Sequence, residues 1–401
     1  RLSDYDGLSM FGVFQPGQSV GTADLLLRVQ EERKFEAIAR YDNHGLFETG
    51  RRRLRLDGFV NNITRAGDTL FLTAQHSDLP ENLFYWRGAY ERPVFGPENR
   101  VGASYDLNQF RVGGQFADQR ITSDTKNARI WWERSFIRSR QKNLSARLDL
   151  ARKRARTRIR GQERSIDNLT VLSLQADFDN VDARWAGLNA AQVEISRGFN
   201  DFLGAMGDRF AADNASVPPS RLGGNGEFAE GEFTKVWLSL SRLQSLTPLS
   251  EKLRHHSILV RFEAQWSPDL LVPLEQYAIG GPNNVRAFQP TEALFDRAAF
   301  GSIEWIVNAP GIADRPSLFG NRTWGELIQV SVFYDYAVGL NNSPIENVEK
   351  HSEIYDGAGF SISFTNPNTF STKFTFGFPL GDPRPQNDRD PQYWIDFNYF
   401  Y

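Results

Sequence analysis

The chain has 401 residues, with 46 basic and 49 acidic side chains for a net charge of −3, and it contains 5 His, 2 Met and no Cys. Without Cys there is no disulfide framework, thiolate metal site or cysteine nucleophile, and the near balance of charge supplies no global field for nucleic acid or an acidic substrate. Mean hydropathy is −0.47, and no apolar run of about 18 residues occurs, which excludes a spanning helix. A barrel of strands stays open, because such strands show only alternate residues to lipid.

The sequence begins at Arg1 with neither Met nor an apolar leader, so a longer precursor is expected. From about residue 32 onward the apolar period is two, which predicts strands near 32–42, 50–62, 68–77, 83–94, 100–112, 123–139, 142–157 and 166–180. Further strands are expected near 189–201, 231–244, 255–267, 297–309, 326–340, 353–365, 370–380 and 392–401. That makes about sixteen, the even number of a closed bacterial barrel with both termini in the periplasm. The expected domains are therefore a transmembrane barrel over 32–401 and a separate N-terminal piece over 1–31.

The faces of these strands carry the argument. In 258–266, Ile258, Val260, Phe262, Ala264 and Trp266 share one face, while Arg261, Glu263 and Gln265 share the other. A soluble sandwich or propeller also alternates, but a second face of charged and amide side chains cannot pack on another sheet. It fits a polar lumen, which Arg55, Asp57, Arg129, Glu133, Arg147, Asp149, Arg261 and Glu263 are expected to line. The last strand aligns Tyr393, Ile395, Phe397, Tyr399 and Tyr401 on one face. This ending resembles the signal, carried by Phe397, Tyr399 and Tyr401, through which the barrel-assembly machinery recognises its clients.

The longest connections run over 202–231 and 267–296, and long loops in compact proteins are usually functional. The second, taken as a pore-inserted loop over about 268–296, contains Gly280-Gly281-Pro282-Asn283-Asn284-Val285-Arg286-Ala287-Phe288. Gly, Pro and Asn enforce a tight turn, and the segment after it offers one guanidinium between apolar side chains. An Arg held in a lumen needs a carboxylate. In 328–336 the apolar face is Ile328, Val330, Val332, Tyr334 and Tyr336, which places Phe333 and Asp335 inside together. Asp335 is the first candidate partner for Arg286, and Glu304 on the intervening strand is the weaker one.

At these residues the chain resembles the outer-membrane assembly and secretion superfamily. The Val285-Arg286-Ala287-Phe288 stretch is similar to its Val-Arg-Gly-Tyr/Phe loop signature, and Phe333-Tyr334-Asp335-Tyr336-Ala337 to its Phe-x-Asp-x-Gly strand motif. Ala287 and Ala337 depart from the usual Gly. The two-partner secretion transporters (TpsB type) match best, through Gln276 to Gly281, the hairpin signals Asp42 to Gly45, and the opening Pro16 to Val29, which resembles the end of a second periplasmic POTRA domain. The resemblance implies that 1–31 is the C-terminal part of such a domain and that a first POTRA domain and a plug helix would precede it.

The implied function is export of a large exoprotein (adhesin, haemolysin or contact-dependent toxin) from periplasm to cell surface without ATP. Its partner would be recognised through the exoprotein's amino-terminal secretion domain. The other implied partners are outer-membrane lipid, lipopolysaccharide and, during biogenesis, the barrel-assembly machinery; the barrel is expected to be monomeric. A barrel-assembly insertase of the same superfamily and a passive porin remain alternatives.

Enzymatic activity is not expected, because no Gly-x-Ser-x-Gly elbow or His-Glu-x-x-His helix occurs. No catalytic residue, metal site or cofactor is assigned. The basic run Arg152 to Arg160 does not suffice for nucleic-acid binding; at the extracellular end of the seventh strand it is expected to meet lipopolysaccharide phosphates or acidic stretches of the exoprotein.

Overall fold

The period-two pattern folds as a closed antiparallel wall. The structure, a computed structural model, describes residues 8–16, 23–31, 33–64, 66–77, 82–207, 217–367 and 369–401. At the N-terminus β1 (Leu8–Pro16) pairs antiparallel with β2 (Ala23–Glu31) as a separate two-stranded sheet. The barrel opens with β3 (Phe35–Asp42), β4 (Arg53–Asn61), β5 (Thr69–Ser77), β6 (Leu83–Pro93) and β7 (Asn99–Arg111). It lengthens through β8 (Thr122–Arg138), β9 (Lys142–Ile159) and β10 (Gln162–Asp182), followed by β11 (Gly187–Gly198), β12 (Phe233–Ser245) and β13 (His256–Trp266). A small hairpin, β14 (Tyr277–Ile279) and β15 (Ala293–Phe295), interrupts the wall, which resumes with β16 (Arg297–Asn308), β17 (Ile328–Leu340), β18 (Ser352–Asn366), β19 (Phe370–Pro379) and β20 (Gln392–Phe400).

Without β14 and β15, the strands from β3 to β20 form one closed barrel of sixteen strands, the expected number and order. Closure is made by β20 against β3, from Asp396↔Asp42 to Phe400↔Ile38. Tyr401 extends the seam, its amide donating to the Ala37 carbonyl at 2.9 Å.

Parity along the strands separates lipid from lumen. Ile303, Trp305, Val332, Tyr334, Tyr336, Phe374, Phe378, Tyr393, Ile395, Phe397 and Tyr399 are exposed on the outer face, as a lipid-facing band requires. On the other face Asp57, Asp149, Gln265, Glu304 and Asp335 are buried. The expected strand bounds hold to within a few residues, with one physical correction. The eighth barrel strand begins at Gln162, not near 166, because Arg160 (φ +50°) and Gly161 (φ +82°) close a tight β9–β10 hairpin, the backbone that a two-residue turn demands. The β8–β10 sector therefore rises beyond the shorter β3–β5 sector.

Candidate functional site

The connection over 267–296 enters the barrel. Its ends are held together by β14 on β15, from Tyr277↔Phe295 to Ile279↔Ala293. The chain then reverses at Gly280 (φ +96°) and Gly281 (φ +101°), where a Cβ on Gly280 would fall 2.2 Å from the Gln289 carbonyl oxygen. Only glycine fits this left-handed, closely approached position. The Gly281 amide donates to the Phe288 carbonyl at 2.9 Å and closes the tip.

The tip delivers Arg286 to the wall. Arg286 Nε and Nη2 donate to Asp335 Oδ2 and Oδ1, each at 2.8 Å, and the Arg286 backbone N–H donates to Oδ2 at 3.0 Å. Nη1 donates to Glu304 Oε2 at 2.6 Å, and Nη2 to Ser302 Oγ at 3.2 Å. Ser302 and Ser331 hydroxyls donate in turn to Asp335 and Glu304. The guanidinium stacks on Phe333 at 3.3 Å from the ring centroid. Arg286 is only 2% exposed and Asp335 0%, so this is a desolvated, bidentate, charge-assisted clamp.

The wall is shaped to receive it. Trp394 Nε1 donates to the Arg286 carbonyl at 2.8 Å. A Cβ on Gly377 of β19 would meet that same oxygen at 2.5 Å, and one on Gly357 of β18 would meet Ala287 Cβ at 2.4 Å. The methyl that Ala287 adds to the motif is thus accommodated by glycine on the facing strand. Val285, Ala287, Phe288, Tyr277 and Ile279 form one apolar cluster with Phe300, Ala337 and Tyr355 of the wall, and Phe288 meets Tyr355 edge to face at 5.2 Å.

Two further charge clusters hold the base of the loop. Lys153 of β9 and Lys235 of β12 converge on Glu275, at 2.6 and 2.7 Å. Burial raises the Glu275 carboxyl, but the two ammonium groups outweigh it and bring it down to about 2. Asp296 accepts from Arg221 Nη1 at 2.8 Å, the Leu271 amide at 3.0 Å and the Asn342 amide at 2.8 Å, joining three extracellular connections. Beside it Leu271 and Val272 pack against Leu169, Val171, Ala229 and Phe233. The loop is therefore fixed to opposite sides of the lumen, its tip on β16–β20 and its base on β9–β12. Below the tip lies a cavity of about 500 Å³ lined by Arg40, His44, Glu304, Lys373, Asp396 and Asn398 together with wall hydroxyls.

The structure brings together Gly280, Gly281, Val285, Arg286, Ala287, Phe288, Phe333, Asp335 and Ala337. Glu304, read from sequence as the weaker candidate, shares Arg286 with Asp335. Arg261 and Glu263 face inward yet are taken up by the loop: Arg261 donates to the Asn283 carbonyl at 3.0 Å, and Tyr277 donates to Glu263 at 2.8 Å. Arg147 and Asp149 pair with each other at 3.0 Å, and Arg129 approaches Asp149 at 3.9 Å; these and Glu133 lie on the β8–β9 wall. The basic run divides between the two faces of its strand. Lys153 points in to Glu275, whereas Arg156 and Arg158 share Asp124 on the outside. The Glu275 and Asp296 clusters escaped the sequence reading. Only parity, which makes Lys153 and Lys235 lumenal, hinted at the first.

Sixteen antiparallel strands with an apolar outer band, a polar interior and a charge-clamped inward loop define a Gram-negative outer-membrane β-barrel with its loop folded into the lumen. A model of the haemolysin secretion/activation protein family ShlB/FhaC/HecB matches residues 21–301, and the chain belongs to this family of two-partner secretion transporters. It is 22% identical to the heme/hemopexin transporter protein HuxB of Haemophilus influenzae (strain 86-028NP), covering 98% of this chain and 65% of that protein. The chain thus spans about 65% of the length of the curated relatives it matches.

Among solved structures, CdiB from Escherichia coli superposes with a TM-score of 0.75 at 18% identity, over 98% of this chain and 67% of that one. CdiB from Acinetobacter baumannii gives 0.71 at 16%, over 100% and 66%. BamA from Haemophilus ducreyi lacking POTRA domains 1–3 gives 0.63 at 11%, over 100% and 76%. At these identities the structural likeness establishes the fold.

Proposed function

We propose that this chain is the pore of an exporter that moves a large partner exoprotein from periplasm to cell surface without ATP, with Arg286 and Asp335 as the fastening of a loop that yields during passage. The observation that carries the reading is the Arg286 clamp. It is strong, lumenal and wholly non-covalent, so it holds the loop at rest and can be exchanged for other polar contacts. The polar wall beneath it offers an unfolded chain little apolar surface on which to stall, and folding outside supplies the direction. Cargo classes are adhesin, haemolysin and contact-dependent toxin, and the relative HuxB is a heme/hemopexin transporter protein.

On this reading residues 1–31, with their two-stranded sheet, are the end of a periplasmic POTRA domain that receives the exoprotein's amino-terminal secretion domain. The barrel works as a monomer, and its exposed Phe397, Tyr399 and Tyr401 serve as the assembly signal. The test is surface exoprotein in cells carrying the full-length transporter and its genetically adjacent partner. Arg286→Ala is expected to lower it at least about ten-fold at equal barrel level, a loss of roughly 1.4 kcal/mol or more in the productive state. Unchanged export would refute the reading. Large steady conductance indifferent to Arg286→Ala would instead mark a passive porin, and failed assembly of other barrels in a deletion strain would mark an insertase.

A further inference from the structure

We infer that the outer wall of β8–β10, just above the hydrocarbon band, is a binding site for a phosphorylated glycolipid of the outer leaflet. The inference rests on the outer-membrane placement of the barrel and not on its cargo. Strand parity is the first observation. In β9 the even positions share the face of lipid-exposed Leu148, so Arg152, Arg154, Arg156 and Arg158 point away from the lumen while Lys153 points into it. A chain passing through the pore does not meet these four arginines, which sets aside a role in reading the cargo during passage.

The second observation is uncompensated charge. Arg154 lies directly opposite Lys126 in the β8–β9 register, and like charges so placed repel. Arg152 is two residues along, roughly 7 Å away at the strand rise. Arg156 and Arg158 are neutralised by Asp124 and Glu163. Arg152 donates to the Leu169 and Gly204 carbonyls. Among the described residues no carboxylate pairs with Lys126, Arg152 or Arg154. Three cations are thus held side by side with no compensating carboxylate among the described residues.

Position and surroundings name the anion. Below the patch on the same face come Ile130 and Trp132 of β8, Leu148 of β9, and Leu172 and Leu174 of β10, all exposed. Lys126 stands four residues beyond Ile130, roughly 13 Å along the strand, the level where lipid phosphates follow acyl chains. Beside it the connection after β11 folds back on the wall: Thr170 donates to the Phe202 carbonyl at 2.8 Å, and Phe202 and Leu203 remain 48% and 60% exposed. Leu203 is held at φ +49°, an uncommon conformation for a non-glycine residue. Apolar side chains displayed next to unpaired cations suit an amphiphile that carries both phosphate and acyl chains. A soluble acidic segment would satisfy only the cations.

The test uses the full-length transporter in nanodiscs, with wild type compared to the double variant Lys126→Gln/Arg154→Gln. Both positions lack a described partner, so the barrel itself is not perturbed. Affinity for bisphosphorylated lipid A is expected to fall about twenty-five-fold in the variant, two charges at roughly five-fold each. Wild type is expected to discriminate by a similar factor against the dephosphorylated glycolipid with the same acyl chains. Equal lipid affinity in the two proteins would overturn the inference. So would inorganic phosphate competing as well as the lipid does, which would mark a free-anion site. Unchanged lipid binding with reduced surface exoprotein would assign the patch to an acidic stretch of the cargo and refute the lipid site.

Discussion

Substituting Arg286 by Ala removes four side-chain hydrogen bonds, two to Asp335, one to Glu304 and one to Ser302, and leaves the backbone N–H contact to Asp335 in place. What remains is Asp335 at 0% and Glu304 at 6% exposure, two carboxylates facing a gap with no cation between them. Breaking a buried pair by removing one partner costs about 3–5 kcal/mol. The loop tip is expected to open between roughly a hundred-fold and a few thousand-fold more often. Glu275 and Asp296 still hold the base, so the change is confined to the tip. Amide hydrogen exchange checks this: residues 281–289 should lose protection by that factor while 270–277 keep theirs. The triple variant Arg286→Met/Glu304→Gln/Asp335→Asn, which removes every charge together, should regain most of the loss. Unchanged exchange at 281–289, or equal loss at tip and base, would refute a clamp centred on Arg286.

Gly357→Ala should dislodge the tip through its 2.4 Å approach to Ala287, and adding Ala287→Gly should restore it; restored amide protection in the double variant is the measurement. Gly377→Val should have a similar effect without altering a charge, since its Cβ would meet the Arg286 carbonyl at 2.5 Å, and loss of the Trp394 contact can be followed by indole fluorescence. Glu275→Gln leaves Lys153 and Lys235 crowded without a counter-ion and should free the base of the loop, seen as exchange at 270–277 rising by at least about ten-fold. The Glu275 carboxyl lies below the ordinary glutamate value of 4.5, at about 2. Its contribution is therefore fully present above pH 4.5 and lost as pH falls through about 2. Exchange at the base that rises already between pH 7 and 5 would contradict it.

The arrangement of strands was legible because alternation is local. Ile258 to Trp266 or Ile328 to Tyr336 display their two faces within nine residues, and parity alone places Asp335 and Arg261 inside and Tyr334 and Val260 outside. The glycine pair and the Arg of the loop were equally plain, since a tight turn and a lone guanidinium restrict what the segment can be. Ala287 and Ala337 read as departures from the motif, and sequence could not say that Gly357 gives Ala287 its room.

What escaped was everything that depends on which walls the loop touches. Glu275 reaches Lys153 across 122 positions and Lys235 across 40, and Asp296 meets Arg221 across 75; no period or spacing encodes such distances. The run from Arg152 to Arg160 shows the division most clearly. Its composition announced a basic patch, and its alternation implied two faces. Only the closed barrel, by setting Lys126 opposite Arg154 and Glu275 against Lys153, decided which cations fasten the loop inside and which stand toward the membrane. The physical reason is that a strand determines the side to which each residue points, whereas its counter-ion is chosen by curvature and closure, properties of the whole sheet.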